Sequence, residues 1–169
     1  MIDYGLLAKQ IVSLAEVDAH WLPVLSNAAA LLWDALDDFN WAGFYLLDHA
    51  TVGGAGSSTP EPRTPALRLG PFQGTVACVR IPFGRGVCGT AAETKTSQLV
   101  EDVHQFPGHI ACDSASNSEV VVPIFKDDQV VGVLDIDSPN VARFTQEDLA
   151  GLEQVVKALE SCTNFSAFC

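Results

Sequence analysis

The spacing of apolar residues changes along the chain, and each change predicts a different element. Between 3 and 19, Leu6, Leu7, Ile11, Val12, Leu14 and Val17 recur at helical steps. A second helix is predicted over 22–37, with Pro23 in its first turn and Leu25, Ala28, Leu32 and Leu36 along one face. The aromatic-rich NWAGFYLLD at 40–48 reads as a strand. ALRLGPFQG and VACVRIPFG read as two further strands around a turn. GRGVCGTAAETK reads as a Gly-rich loop opening a short helix, and SQLVEDV as a short strand. EVVVPIFKDDQVVGVLDIDSP is a predicted hairpin, two apolar runs around Lys126-Asp127-Asp128-Gln129. A last helix starts at Thr145, where Thr-Gln-Glu-Asp is a capping signal. Leu149, Leu152, Val155, Val156 and Leu159 follow along one face.

Two stretches carry no period. Residues 49–66 are rich in Gly, Ser, Thr and Pro and read as a flexible loop within a domain, because neither half alone holds a complete set of elements. HQFPGHIACDSASNS reads as a loop of small and polar residues. A chain of 169 residues suits one domain. The expected fold class is α+β: residues 1–161 form a single domain with a mostly antiparallel central sheet, and 162–169 form a C-terminal tail. The N-terminal helices and the C-terminal helix are expected to lie on one side of that sheet.

Composition narrows the function. Apolar residues make up 48% and charged residues 18%, which excludes a disordered tail or a coiled coil. The net charge of −12 repels nucleic acid and anionic membrane but not a small cationic or zwitterionic ligand. No apolar run is long enough for a membrane span. The first residues are acidic and lack the basic start of a signal peptide, so a cytoplasmic location is expected. Five cysteines, an odd number, do not make a complete disulfide framework. They point to buried, metal-bound or redox-active thiols.

Candidate chemistry falls into three groups. Cys78, Cys88 and Cys112 lie beside turns marked by Gly or Pro. Cys88 sits where a helix is expected to start, and helix N–H groups there stabilise a thiolate. Cys112 lies in the long polar loop. Packing is the alternative for Cys78, and a zinc site for all three, although spacings of ten and 24 residues lack any C-x-x-C. Alternation along VVGVLDIDSP places Val130, Gly132, Leu134 and Ile136 on one face, and Val131, Val133, Asp135 and Asp137 on the other. Two acids on one face raise at least one pKa and can hold a proton donor, or they are solvated acids at a strand end. Glu119 opens the partner strand. A regular ladder from the two-residue turn sets Glu119 against Ile136, on the wrong face for Asp135, unless a bulge intervenes. Trp41 and Tyr45 share a strand face and line either an apolar slot or the core. His104 and His109 flank FPG and read as surface histidines that could activate a thiol. The Gly84–Gly86 turn lacks a phosphate-binding signature. Cys162 and Cys169 read as non-catalytic.

LGPFQG, ACVRIPFGRGVCGTAAE, VEDVHQFPGHIACDSASNSE, VVPI and GVLDIDSP, with NWAGFYLL and the terminal helices, closely resemble the free methionine-(R)-sulfoxide reductases. These are enzymes of the GAF fold, whose element order the chain also follows. The likeness covers nearly the whole chain except 49–66, which is longer than expected for that family, and the tail. The cyclic-nucleotide signature of other GAF domains is absent. The resemblance implies that Cys112 is the catalytic cysteine, with Cys78 or Cys88 resolving it. It implies that Glu119, Asp135 and Asp137 surround the sulfoxide and the amino group, and that Trp41 and Tyr45 lie near the substrate methyl. It implies free methionine-R-sulfoxide as substrate, thioredoxin or an equivalent dithiol as reductant, and no metal or organic cofactor. Analogy with GAF domains admits a homodimer. Two other classes stay open: a ligand- or redox-sensing module without turnover, and a metal-bound structural domain.

Overall fold

The computed structural model describes residues 2–48, 65–108 and 114–167. Of the expected loop over 49–66, residues 49–64 therefore lie outside the described residues, as do His109, Cys112 and Cys169, while Ala66 already belongs to a strand.

Helices α1 (Tyr4–Ala15) and α2 (Trp21–Ala35) open the chain. The Asp3 carboxylate caps α1 by accepting from Leu6 N at 2.8 Å, and the His20 ring accepts from Leu22 N at the start of α2. Of the apolar residues in the first helix, Leu7 and Ile11 are buried, while Leu6 and Leu14 face outward. Helix α4 (Gln146–Cys162) starts at Thr145 in a reciprocal capping box with Asp148, as the Thr-Gln-Glu-Asp pattern predicts. Beyond it the chain turns back. Asn164 bridges to His20, and Phe165 is buried in the core.

Strands β1 (Trp41–Asp48), β2 (Ala66–Gly74), β3 (Arg80–Pro82), β4 (Gln98–Val100), β5 (Ser118–Lys126) and β6 (Gln129–Ser138) form one antiparallel sheet in the order β3-β2-β1-β6-β5-β4. β3 is shorter than VACVRIPFG suggests. Gly74 turns the chain at φ +127°, and residues 75–79 connect outside the ladder.

The sheet has a core on each face. Leu7, Ile11, Leu25, Leu32, Leu152 and Leu159 of α1, α2 and α4 pack with Ala42, Phe44, Leu134 and Ile136. The N-terminal helices and the C-terminal helix thus lie on one side of the sheet, as expected, and the short α3 (Gly86–Thr94) covers the opposite face. There Val87, Ala91 and Ala92 pack with Tyr45, Leu67, Val121 and Val133. Gly89 makes this approach close: a Cβ there would collide with the Pro82 carbonyl of β3.

The β5–β6 hairpin settles the register question. Asp127 and Asp128 both have positive φ, 49° and 61°, the requirement of a type I′ turn closing Lys126 against Gln129. Phe125 pairs with Val130, but Ile124 pairs with Gly132, so Val131 is an extra residue on β6. Past this bulge Glu119 faces Asp137 and not Ile136. The bulge also corrects the assignment of two valines. Val130 joins the α3 side with Val133, and Val131 joins the other side with Leu134 and Ile136.

Candidate active site

The register brings the acids together. Asp135 and Asp137 share a face of β6, and Glu119 stands opposite Asp137 on β5. Cys88, third in α3, is laid over the same face. Its Sγ lies 3.9 Å from Glu119 Oε1, and one ligand-capable atom from each of Cys88, Glu119 and Asp135 lies within 4.8 Å of the others. Glu119 and Asp135 are 6% and 5% exposed, so neither is a solvated strand-end acid.

Burial controls the chemistry of this group. Desolvation, followed by the charge of Asp135 and then Asp137, pushes the Glu119 carboxyl well above the ordinary range. Desolvation also raises Asp135, to about 6, against opposing hydrogen bonds from Cys88 and Glu119. Two close carboxyls in a dry place cannot readily both ionise, and Glu119 keeps its proton more tightly. Cys88 corrects the expected thiolate. It does lie at a helix start, but burial, with Asp135 and Glu119 beside it, pushes its thiol well up. Desolvation outweighs the helix N-terminus here, and Cys88 is a neutral thiol among acids.

On β1, Trp41 and Tyr45 face the same side as these acids, opposite Asp137 and Val133 respectively. Their rings stack at 5.7 Å. Phe72 of β2 also stacks with the Trp41 ring, at 5.2 Å, which completes an aromatic wall. The wall depends on Gly43, where a Cβ would strike Phe72 Cβ and come within 2.8 Å of the Trp41 ring. Phe72 is absent from the sequence reading. Its signal is Gly43 between two aromatics on one strand face, which leaves room for a third ring from the neighbouring strand. Desolvation, then the charge of Asp135, raises the Tyr45 phenol and keeps it neutral.

Two buried polar atoms here have no hydrogen-bond partner among the described residues: the Trp41 Nε1 donor and the Asp135 Oδ1 acceptor. They lie on the same sheet face of adjacent strands. Leaving such atoms unmatched costs about 1–3 kcal/mol each, so a pair of them points to a ligand.

The described flanks of the Cys112 segment are tied to this face. Gly108 O accepts from Gly86 N at the start of α3, at 3.1 Å. Ser116 Oγ accepts from the amide of Asn40, which precedes Trp41, at 3.2 Å. Asn117 donates from its amide to Pro139 O, so its Oδ1 is the acceptor for His104 Nε2 at 3.0 Å. His104 is thus engaged in holding this flank. Cys78, in the β2–β3 connection, is partly buried against the core of the α3 face and is disulfide-bonded. Cys88 and Cys162 are free, so the partner of Cys78 lies outside the described residues. In that bond Cys78 offers no thiolate to a metal, and among the described residues it is not part of the one cysteine–carboxylate group.

Residues 24–161 match the family model described as GAF domain. The chain is 50% identical over 157 residues to the free methionine-R-sulfoxide reductase of Escherichia coli K12, covering 93% of this chain and 86% of that protein. Its fold superposes on the fRMsr of Staphylococcus aureus in its reduced form with a TM-score of 0.84, at 51% identity and 97% coverage of each chain. The free methionine-R-sulfoxide reductase of Neisseria meningitidis in complex with its substrate is 41% identical, with a TM-score of 0.83 over 98% of this chain and 89% of that one. With this fold, this buried acid group and this identity over almost its full length, the chain belongs to the free methionine-R-sulfoxide reductases of the GAF domain family.

Proposed function

We propose that this protein reduces free methionine-(R)-sulfoxide to methionine with thiol electrons. The observation that carries the reading is the orphaned pair, Trp41 Nε1 and Asp135 Oδ1, beside the protonated Glu119. An amino-acid sulfoxide matches them: its ammonium donates to Asp135 and Asp137, and an oxygen accepts from the indole. A peptide-bound residue has no ammonium to offer. The wall of Trp41, Tyr45 and Phe72 suits the S-methyl and would distinguish methyl from oxygen, and so one sulfur epimer from the other.

In the mechanism we infer, the Cys112 thiolate attacks the sulfoxide sulfur while Glu119 gives its proton to the oxygen. Sulfur is reduced, oxygen passes to Cys112, and the products are methionine and a Cys112 sulfenic acid. The Cys78 thiol then condenses with the sulfenic acid, forming a disulfide and releasing water. The bonded state of Cys78 supports this assignment over Cys88, which is free and a poor nucleophile where it sits. A dithiol of the thioredoxin type returns the pair to thiols. Such a reductant fits a cytoplasmic setting, and among the described residues no helix is long and apolar enough to cross a membrane. A homodimer belongs to this reading as well, with Leu6, Leu14, Leu22 and Trp33 exposed on the first two helices.

The test is a chiral assay with racemic free methionine sulfoxide and a thioredoxin system. Selective loss of the R epimer, with peptide-bound sulfoxide untouched, is the expected result. No loss of either epimer from folded, reduced protein would overturn the reading in favour of a sensing module. Cys78→Ser should give one turnover and then stop.

A further inference from the structure

We propose that Cys88, Glu119 and Asp135 together form a binding site for a zinc-class divalent cation. The part of this inference that concerns substrate rests on the reductase reading; the site itself does not. One sulfur and two carboxylate oxygens are gathered within 4.8 Å, from α3, β5 and β6. A tetrahedral ion with metal–sulfur and metal–oxygen bonds near 2.3 and 2.0 Å sets such atoms roughly 3.5 Å apart. Cys88 Sγ and Glu119 Oε1 are already at 3.9 Å, so a small side-chain adjustment closes the set.

An ammonium would be satisfied by oxygens alone. The sulfur sets this group apart: an ion that displaces the Cys88 and Glu119 protons to solvent as it binds meets thiolate with carboxylate, a donor set of intermediate softness that favours zinc, cobalt and cadmium over calcium or magnesium. Asp135 Oδ1, on the same buried carboxylate, has no hydrogen-bond partner among the described residues, so the carboxylate has acceptor capacity to spare. Three protein ligands leave a fourth position, the pattern of an open site and not of a closed structural one. This ligand set is also distinct from the three-cysteine site, since Cys78 contributes nothing to it. A cation seated here takes the carboxylates that a substrate ammonium needs, and so competes with substrate.

The experiment uses the oxidised protein, in which Cys78 is occupied and no turnover occurs. Cobalt(II) is added and the near-ultraviolet thiolate-to-cobalt charge-transfer band is followed. The expected result is a one-to-one titration, displaced by zinc. The band should be lost in Cys88→Ser, weakened at least tenfold in Asp135→Asn and retained in Cys162→Ser. Asp135→Asn also serves if Cys88→Ser fails to fold. No band, or a band that persists in folded Cys88→Ser, overturns the site. Separately, initial rates at buffered free zinc should show a raised KM and an unchanged kcat. A zinc effect on kcat alone overturns the competition. Failure of metal-free enzyme to reduce any sulfoxide would sink the reductase reading while the cobalt result stands.

Discussion

On β6, Leu134 and Ile136 enter the core built with α1, α2 and α4, while Asp135 between them enters the face covered by α3. The same alternation runs along β1, where Ala42 and Phe44 go one way and Trp41 and Tyr45 the other. Both faces are buried, yet among the described residues the α3 face is the one that gathers buried carboxyls around a thiol, with the unmatched Trp41 Nε1 and Asp135 Oδ1 beside them. Burial of apolar area stabilises the first face. On the second, burial penalises charge and raises pKa values, and the resulting strain is what a polar ligand relieves. One sheet thus divides the work: one side supplies the stability that the other side uses.

Substitutions that separate the two faces should separate stability from activity. The largest effect is expected from Cys112→Ser, which should abolish multi-turnover reduction with the thermal midpoint little changed. Full turnover in that variant would remove Cys112 from the chemistry. On the opposite face, Ile136→Ala should cost about 2–5 kcal/mol in denaturant unfolding. The enzyme that remains folded should keep its pH–rate profile.

Asp135→Asn should act on both sides. The folded Asp135 carboxyl holds its proton up to about pH 6, while the unfolded one releases it near 3.8. Its contribution to stability is therefore full below about pH 4 and lost as pH rises through about 6. The variant should flatten that part of the stability profile and lower kcat/KM by about a hundredfold. An unaltered profile would show that the dry environment assigned to this face is wrong.

Trp41→Phe keeps the ring and removes the orphaned N–H. It should raise KM about tenfold and leave stability equal or slightly higher, since an unmatched donor has gone. The smallest effect is expected at the capping box, where Thr145→Ala should cost about 1 kcal/mol in unfolding with no change in kcat.

Legibility followed the same division. Helical spacing marked α1, α2 and α4, and the capping signal located the start of α4 at Thr145. Alternation correctly placed Asp135 and Asp137 together, because parity is a local property of a strand. It could not place Glu119, because parity across a hairpin depends on every residue between. The one local sign of the bulge at Val131 is Gly132 beside it, a strand-interior glycine that equally marks the close approach of the Tyr45 carbonyl. The Cys88 thiolate failed for a related reason: a helix start is visible in GVCGT, but the two carboxyls that bury against it come from residues 119 and 135. Likewise, nothing in the short GVCGTAAET segment says which face of the sheet it covers.

The bulge has a consequence for how this hairpin tolerates insertions and deletions. Losing Val131 would straighten β6 and leave Glu119 opposite Asp137, since the pairs above it are already in step. Losing one residue from β5 between Glu119 and Phe125 would turn the Glu119 side chain into the apolar core of the other face. Equal changes in length are therefore unequal in effect. A one-residue deletion at Val131 should lose some core packing and keep the site, whereas one on β5 should dismantle it.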